Sequence, residues 1–107
     1  MVAIMVYRNP SMGLLKVLRA FLDQPTDAQY GLDILKRAGV SAGTLYPVLS
    51  QLEQDGWAES VWEPIDESAE GRRKRRYYTL TTLGKAEATV LLTETARTLA
   101  PPGLVTT

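Results

Sequence analysis

The sequence predicts a mainly α-helical fold with a small β-hairpin. Three observations predict it: three helix-type apolar patterns fill the first half, two β-type segments flank a polar loop in the second half, and a further helical pattern follows. The chain has 107 residues, which suits one compact domain. This order of elements is that of a winged helix-turn-helix followed by a C-terminal helix, and it favours that fold over an unspecified α+β domain.

The first two helices are delimited by capping and breaking residues. Ser11 is the expected N-cap of the first helix, and Pro25 bars its continuation. Thr26 or Asp27 is the expected N-cap of the second helix, which Gly39 ends. Only a few residues then precede the third helix, and such a short connection forces two helices to cross steeply, as in a helix-turn-helix.

The third helix has an unusual beginning. Its apolar residues follow the i, i+3, i+4, i+7 spacing from Leu45 onward, but Gly43 and Pro47 are poor helix formers. Well inside a helix, Pro47 would lose one hydrogen bond and clash with the carbonyl of Gly43, at a cost of about 3 kcal/mol. The helix therefore begins either near Thr44, where a proline in the first turn is harmless, or at Ser41 with a distorted turn.

The outward face of the third helix is small, polar and uncharged near its start. A helix that enters the DNA major groove needs such a face, because its backbone must come close to phosphates and base edges. The N–H groups at a helix start are also ready donors for a phosphate. The residues of this helix that we expect to contact DNA are Ser41, Gly43, Thr44, Tyr46, Ser50 and Gln51.

The predicted hairpin consists of "WAESVWE" and "KRRYYTL", joined by the polar loop "PIDESAEG". On the second strand, Tyr78 and Leu80 share one side and are expected to face the core. Trp57 and Trp62 are expected to pack in the core or within the hairpin. In a winged helix-turn-helix this hairpin is the wing.

A basic run, Arg72 to Arg76, places five of the twelve basic residues side by side. Every charged residue from Glu53 to Glu70 is acidic, so internal neutralisation is one alternative. Most of those acids lie on the other arm or in the loop, and the run can then reach phosphates or the minor groove. The expected DNA-contacting cations are Arg72, Arg73, Lys74, Arg75 and Arg76 in the wing, with Lys36 and Arg37 at the end of the second helix.

A fourth helix is predicted from Thr81 or Thr82. Its apolar residues cover more than one face, which predicts burial in a symmetric homodimer; a one-sided helix lying on its own domain is the alternative. The expected dimerisation residues are Leu83, Val90, Leu91 and Leu92. The predicted domains are an N-terminal arm or short strand (1–10), the DNA-binding domain (11–80), the C-terminal dimerisation helix (81–100) and a flexible tail (101–107).

The composition disfavours several classes of protein. There is no cysteine and no histidine, so disulfides, thiolate metal sites and the usual general base are absent. We expect neither catalytic residues nor a metal or cofactor. No window has the roughly 18 apolar residues of a membrane span, and the apolar start lacks the features of a signal peptide, so we expect a cytoplasmic protein with no membrane partner.

The order "SAGTLYPVLSQLEQDGW" then "RRYYTLTTLG" resembles the PadR family of bacterial transcriptional regulators, over about Met12 to Leu92. The resemblance implies a dimeric repressor that binds double-stranded DNA at a palindromic operator. It implies that the helix from Ser41 is the recognition helix, that "RRKRRYY" forms the wing, and that the last helix mediates dimerisation.

Some short relatives bind flat aromatic drugs through an aromatic residue on the C-terminal helix. No such residue occurs on that helix here, so a drug pore is not expected, and the sequence names no small-molecule effector. A winged-helix module that binds proteins rather than DNA is the alternative function. The uncharged face of the third helix is its best support.

Overall fold

The computed structural model of the chain describes residues 7–103. Most of the predicted N-terminal arm or strand and residues 104–107 of the predicted tail lie outside this range, although Tyr7 and Arg8 have helical backbone. The elements are α1 (Met12–Asp23), β1 (Gln29–Tyr30), α2 (Gly31–Ala38), α3 (Ala42–Gln54), β2 (Ala58–Trp62), α4 (Glu67–Glu70), β3 (Arg76–Leu80) and α5 (Thr82–Leu99). The three strands form an antiparallel sheet of order β1-β3-β2.

This architecture confirms the predicted winged helix-turn-helix. The helices pack around one core, and α1 contacts α2, α3 and α5. The largest fully buried side chains include Leu18 and Phe21 of α1, Ile34 of α2, and Leu45 and Leu52 of α3. The predicted N-cap of α1 is also confirmed, because the Ser11 hydroxyl accepts a hydrogen bond from the Leu14 N–H at 3.1 Å.

The predicted start of α2 is wrong. The helix begins at Gly31, and neither Thr26 nor Asp27 caps it. The two residues before it form β1, which pairs with Tyr77 and Tyr78 of β3, so the sheet takes backbone that the sequence assigns to the helix. The predicted end is confirmed, since Gly39 adopts the left-handed conformation with φ of 69°.

Helix α3 follows the second of the two predicted alternatives. Ser41 is the N-cap and Pro47 lies inside the helix. Because Pro47 has no N–H, the carbonyl of Gly43 receives no hydrogen bond from that position. The apolar face nevertheless forms as expected, with Leu45, Leu49 and Leu52 buried.

The predicted hairpin is present, with strands shorter than predicted and a loop that is more structured. Strands β2 and β3 pair from Ala58 opposite Leu80 to Trp62 opposite Arg76. The loop between them contains α4, a short helix with Asp66 as N-cap that was not predicted. Trp57, Tyr78 and Leu80 are buried as expected.

The guanidinium of Arg76 on the paired strand lies 5.5 Å from the ring centre of Trp62, so Trp62 packs within the hairpin, which is one of the two predicted alternatives. It does not pack in the core, because Trp62 is 59% exposed. It is the last residue of β2, and the core residues that bury Ala58 at the other end of the strand do not cover it.

Helix α5 is tied to the junction between α3 and β2. Thr81 caps it by accepting a hydrogen bond from the Gly84 N–H at 3.0 Å, and donates its hydroxyl to the carbonyl of Gly56 at 2.6 Å. The Thr81 N–H donates to the carbonyl of Trp57 at 2.9 Å. Gly84 lies so close to that carbonyl that a Cβ atom would collide with it. Within residues 7–103, no helix combines the length and apolarity that crossing a membrane requires.

Candidate nucleic-acid interface

The start of α3 presents the predicted uncharged surface. Ser41, Gly43, Tyr46 and Ser50 are exposed. The Ser41 hydroxyl donates to the Thr44 hydroxyl at 3.3 Å and makes no hydrogen bond to the backbone N–H groups of the first turn. The N–H of Thr44 donates to the carbonyl of Ser41 at 3.1 Å. The N–H groups of Ala42 and Gly43 have no intrahelical acceptor and can donate to an anion.

Two other predicted residues of α3 are engaged within the chain. Thr44 is half-buried, and its methyl group lies against Gly13 of α1. Gln51 donates its side-chain N–H to a carboxylate oxygen of Asp55 at 2.7 Å, and the same oxygen accepts from the Tyr7 hydroxyl at 2.8 Å. Base contacts by Gln51 would first require this hydrogen bond to break.

Acidic side chains of the wing neutralise part of its positive charge. Arg72 forms a two-pronged ion pair with Glu63, with N–O distances of 2.7 and 3.0 Å. This hydrogen bonding to Arg72 is the largest cause that lowers the pKa of the Glu63 carboxyl. It likewise raises the pKa of Arg72.

Arg76 is held in a second network that includes the end of α3. Its Nη2 lies 3.3 Å from Oε2 of Glu53, and its Nε donates to the Ser60 hydroxyl at 2.9 Å. The Ser60 hydroxyl in turn donates to Glu53 at 2.8 Å. The Arg76 guanidinium also lies 5.5 Å from the ring centre of Trp62 and 5.6 Å from that of Tyr78, within cation–π range.

The other predicted cations have no acidic side-chain partner among the residues that the structure describes. The Arg75 guanidinium lies 5.0 Å from the ring centre of Tyr30. Arg37 donates from Nη2 to the neutral Gln29 side chain at 2.7 Å, which fixes its position without removing its charge. Carboxylates do approach two of these residues through the backbone, because the N–H of Lys74 donates to Glu67 at 2.8 Å and that of Arg75 to Glu63 at 3.2 Å. Among the predicted DNA-contacting cations, those whose side chains form no salt bridge within residues 7–103 are Lys36, Arg37, Arg73, Lys74 and Arg75.

A cleft of about 290 Å³ joins the tip of α3 to the wing. Tyr46 of α3 lines it together with Trp62 of β2 and Lys74 and Arg76 of the second arm. The structure thus brings the two predicted DNA-binding segments to one surface. Trp62 belongs to this surface and was missed, although the alternation along β2, which puts it on the same side as Ser60, carries that signal.

The residues 7–103 contain no group of three or more His, Cys, Asp or Glu side chains placed to hold a metal ion. A family model described as "Transcriptional regulator PadR-like family" matches residues 17–90, more than half of the chain. The chain belongs to the PadR-like family of transcriptional regulators. The family consists of regulators that bind DNA and not of enzymes, which confirms the prediction that this chain is not an enzyme.

Solved structures agree with this assignment. A PadR-like transcription factor from Bacteroides fragilis is 29% identical, with a TM-score of 0.57, over 83% of this chain and 92% of its own. The protein smu.1704 from Streptococcus mutans UA159 is 26% identical, with a TM-score of 0.63, over 82% of this chain and 81% of its own. The PcaV transcriptional regulator from Streptomyces coelicolor is 28% identical, with a TM-score of 0.62, over 79% of this chain and 57% of its own. No curated protein matches the chain.

The PadR-like chain also carries the expected apolar surface on α5. Leu83 is 51% and Val90 56% exposed, whereas Leu91 and Leu92 are half-buried against the core. Leu83, Val90 and Leu91 line a groove of about 520 Å³ whose other walls include the rings of Tyr7 and Trp57, stacked 4.0 Å apart. Burial first, and then the Asp55 carboxylate, raise the pKa of Tyr7, so its hydroxyl keeps its proton and donates it to Asp55.

Proposed function

We propose that this PadR-like regulator is a homodimeric repressor of a palindromic operator. Each subunit inserts the start of α3 into a major groove, and its wing contacts the adjacent backbone. Two copies related by a two-fold axis then read half-sites one helical turn apart, roughly 34–36 Å.

The observation that carries the proposal is the common surface of α3 and the wing. Tyr46 lines the same cleft as Lys74 and Arg76, so the uncharged helix tip and the basic arm face the same way. The tip can approach base edges while cations beside it contact phosphates. Ser41, Gly43, Tyr46 and Ser50 are the proposed contacts of the tip.

The pairing within the wing refines which cations contact phosphates. The side chains of Arg72 and Arg76 already form salt bridges, whereas those of Arg73, Lys74 and Arg75 form none in the described range. We assign the main phosphate contacts to these three and to Lys36 and Arg37. Thr44 and Gln51 take a smaller part, because contacts within the chain restrain them.

The exposed residues of α5 support the dimer. Leu83 and Val90 are seven positions apart and therefore lie on one face of the helix, where more than half of each side chain meets solvent. Burial between two subunits removes this apolar area from water. In this arrangement Leu83, Val90, Leu91 and Leu92 form the dimer interface.

The test is selection of bound duplexes from a random pool, followed by titration against salt. A repressor of this kind recovers an inverted repeat, and log K falls linearly with log salt. In a dimer, Lys74→Ala removes two phosphate contacts and makes the slope shallower by about 1.8. Replacing Glu63 and Arg72 together by Gln removes a compensated pair and is the matched control, with little change in slope.

Val90→Asp tests the dimer by sedimentation, and we expect monomers whose affinity for the full inverted repeat is reduced. Recovery of no duplex at low salt would instead favour the protein-binding module. Recovery of unrelated sequences without an inverted repeat would contradict the palindromic operator.

A further inference from the structure

The cleft between α3 and the wing has two aromatic walls that lie outside the hydrophobic core. Tyr46 on α3 is 45% exposed and Trp62 on β2 is 59% exposed, while the ring of Tyr78 between them is buried. Tyr78 belongs to the core cluster and Trp62 does not. Two exposed aromatic rings in one cleft, bordered by cations, are typical of a ligand-binding groove.

Contacts within the wing position the ring of Trp62. The Arg76 guanidinium lies over its ring, and Arg76 is itself fixed by Ser60 and Glu53. A series of contacts therefore connects Glu53 at the end of α3, through Arg76, to the indole ring. A ring held in this way loses little conformational freedom when it packs against a ligand.

The charges in the cleft indicate what that ligand is. The charge of Arg76 is offset by Glu53, whereas the ammonium of Lys74 has no acidic partner within residues 7–103. The cleft thus offers the ammonium group of Lys74, the hydroxyl of the exposed Tyr46 and the apolar ring of Trp62. One deoxyribose–phosphate unit has the complementary features: a single negative charge, acceptor oxygens and an apolar sugar face.

We propose that this cleft seats one sugar–phosphate unit of each half-site, with Trp62 packed against the deoxyribose and with Lys74 and the Tyr46 hydroxyl on the phosphate. The inference rests on the proposed DNA binding and adds a contact residue, Trp62, to it. In this arrangement α3 occupies the major groove and the wing lies over the neighbouring groove. The DNA backbone between these two grooves passes through the cleft. Arg76 acts here as a positioning residue for Trp62.

Quenching by acrylamide tests the contact with Trp62. The chain has two tryptophans, and Trp57 is only 7% exposed, so Trp62 dominates the quenchable emission of the free protein. Binding of a duplex recovered by selection should lower the quenching constant of the wild type severalfold and leave that of Trp62→Phe nearly unchanged. Binding without any change in the wild-type constant would overturn the inference but leave DNA binding intact, whereas absence of binding would overturn both.

Neutral methylphosphonates, placed one at a time along the recovered duplex, test the phosphate contact. At one position in each half-site the wild type should lose about tenfold in affinity, and Lys74→Ala should show no further loss there. Equal losses for the two proteins at every position would show that Lys74 faces no single phosphate. If Lys74→Ala is insensitive to methylphosphonate at only one position of each half-site, Lys74 contacts one particular phosphate and does not merely attract the DNA by its charge.

Substitutions at Trp62 complete the test. Trp62→Ala should weaken binding on the order of tenfold, as expected for loss of an apolar contact of roughly 55 Å², and Trp62→Phe should restore part of it. Val61→Ala is the matched control, because Val61 is 64% exposed on the opposite side of the same strand. Thermal melting of each variant excludes unfolding, and equal affinities for Trp62→Ala and Val61→Ala would contradict the proposed contact.

Discussion

Gly43→Ala should make the protein more stable and a weaker DNA binder. Gly43 is the second residue of α3, and a Cβ atom added there meets nothing nearer than the Ser41 hydroxyl at 3.8 Å, an ordinary contact. In a helix interior the change from Gly to Ala gains about 0.8–1.0 kcal/mol. Since the first turn is less constrained, we expect about 0.5–1 kcal/mol, or an increase in Tm of roughly 2–6 °C.

The loss of DNA affinity has a different physical cause. In the proposed complex, Gly43 lets the backbone approach the major groove, and a methyl group holds it away. Because the substitution removes no charge, the affinity should fall by a similar factor at every salt concentration, with the slope of log K against log salt unchanged. Gel-shift titrations at three or more salt concentrations, beside urea unfolding at one protein concentration, measure both effects.

Two results would refute this reasoning. A stabilised variant with unchanged affinity would show that the backbone at Gly43 does not approach DNA. A destabilised variant would show that α3 does not begin at Ser41, since an alanine in an exposed helical turn without steric conflict cannot be unfavourable.

Three further changes probe the wing, the base of α5 and the buried amide. Glu63→Gln releases Arg72, so DNA binding should become tighter for every duplex and the slope of log K against log salt should become steeper. In the unchanged protein, the ion pair stabilises the fold above the unfolded pKa of Glu63. This stabilisation is lost as the pH falls through the lowered folded pKa, which NMR titration of the carboxyl group measures. Gly84→Ala should lower the free energy of unfolding by about 1–3 kcal/mol, because the new Cβ collides with the carbonyl of Trp57 and forces α5 away. Gln29→Leu should lower the free energy of unfolding in urea by about 1–3 kcal/mol, since Gln29 is 3% exposed and its side-chain amide hydrogen-bonds two carbonyls and the Arg37 guanidinium. It should also weaken DNA binding, because Arg37 loses the hydrogen bond that positions it.

The helices of this chain could be predicted because their signals are local. Ser11 and Thr81 are caps that act within one turn, and the buried face of α3 repeats within thirteen residues. Strand β1 could not be predicted in this way. It has two residues, and what makes it a strand is pairing with Tyr77 and Tyr78, which are more than forty positions away.

The candidate interface likewise has features that the sequence predicts and features that only the structure shows. The basic run of the wing and the uncharged face of α3 are visible in the sequence, and the structure places them at one cleft. Which cations are neutralised is not visible, because Glu63 meets Arg72 across the hairpin and Glu53 meets Arg76 from the end of a helix. Such pairs depend on the register of β2 and β3 and on how the sheet packs on α3. From the sequence alone, the five basic residues of the wing are equally available to DNA. In the structure, Arg72 and Arg76 are less available because they form salt bridges.

The weak start of α3 is compatible with a stable helix because the core supplies the missing free energy. A proline inside a helix costs about 3 kcal/mol and a glycine about 1 kcal/mol more. Full burial of a leucine contributes about 1.5–3 kcal/mol, and Leu45, Leu49 and Leu52 are all buried, so burial more than offsets both penalties. Propensity is therefore not needed on the outer face, which can carry Gly43 and Pro47. A strong helix former with a long side chain at these positions would stabilise α3 further and, in the proposed complex, would fill the space through which its backbone approaches DNA.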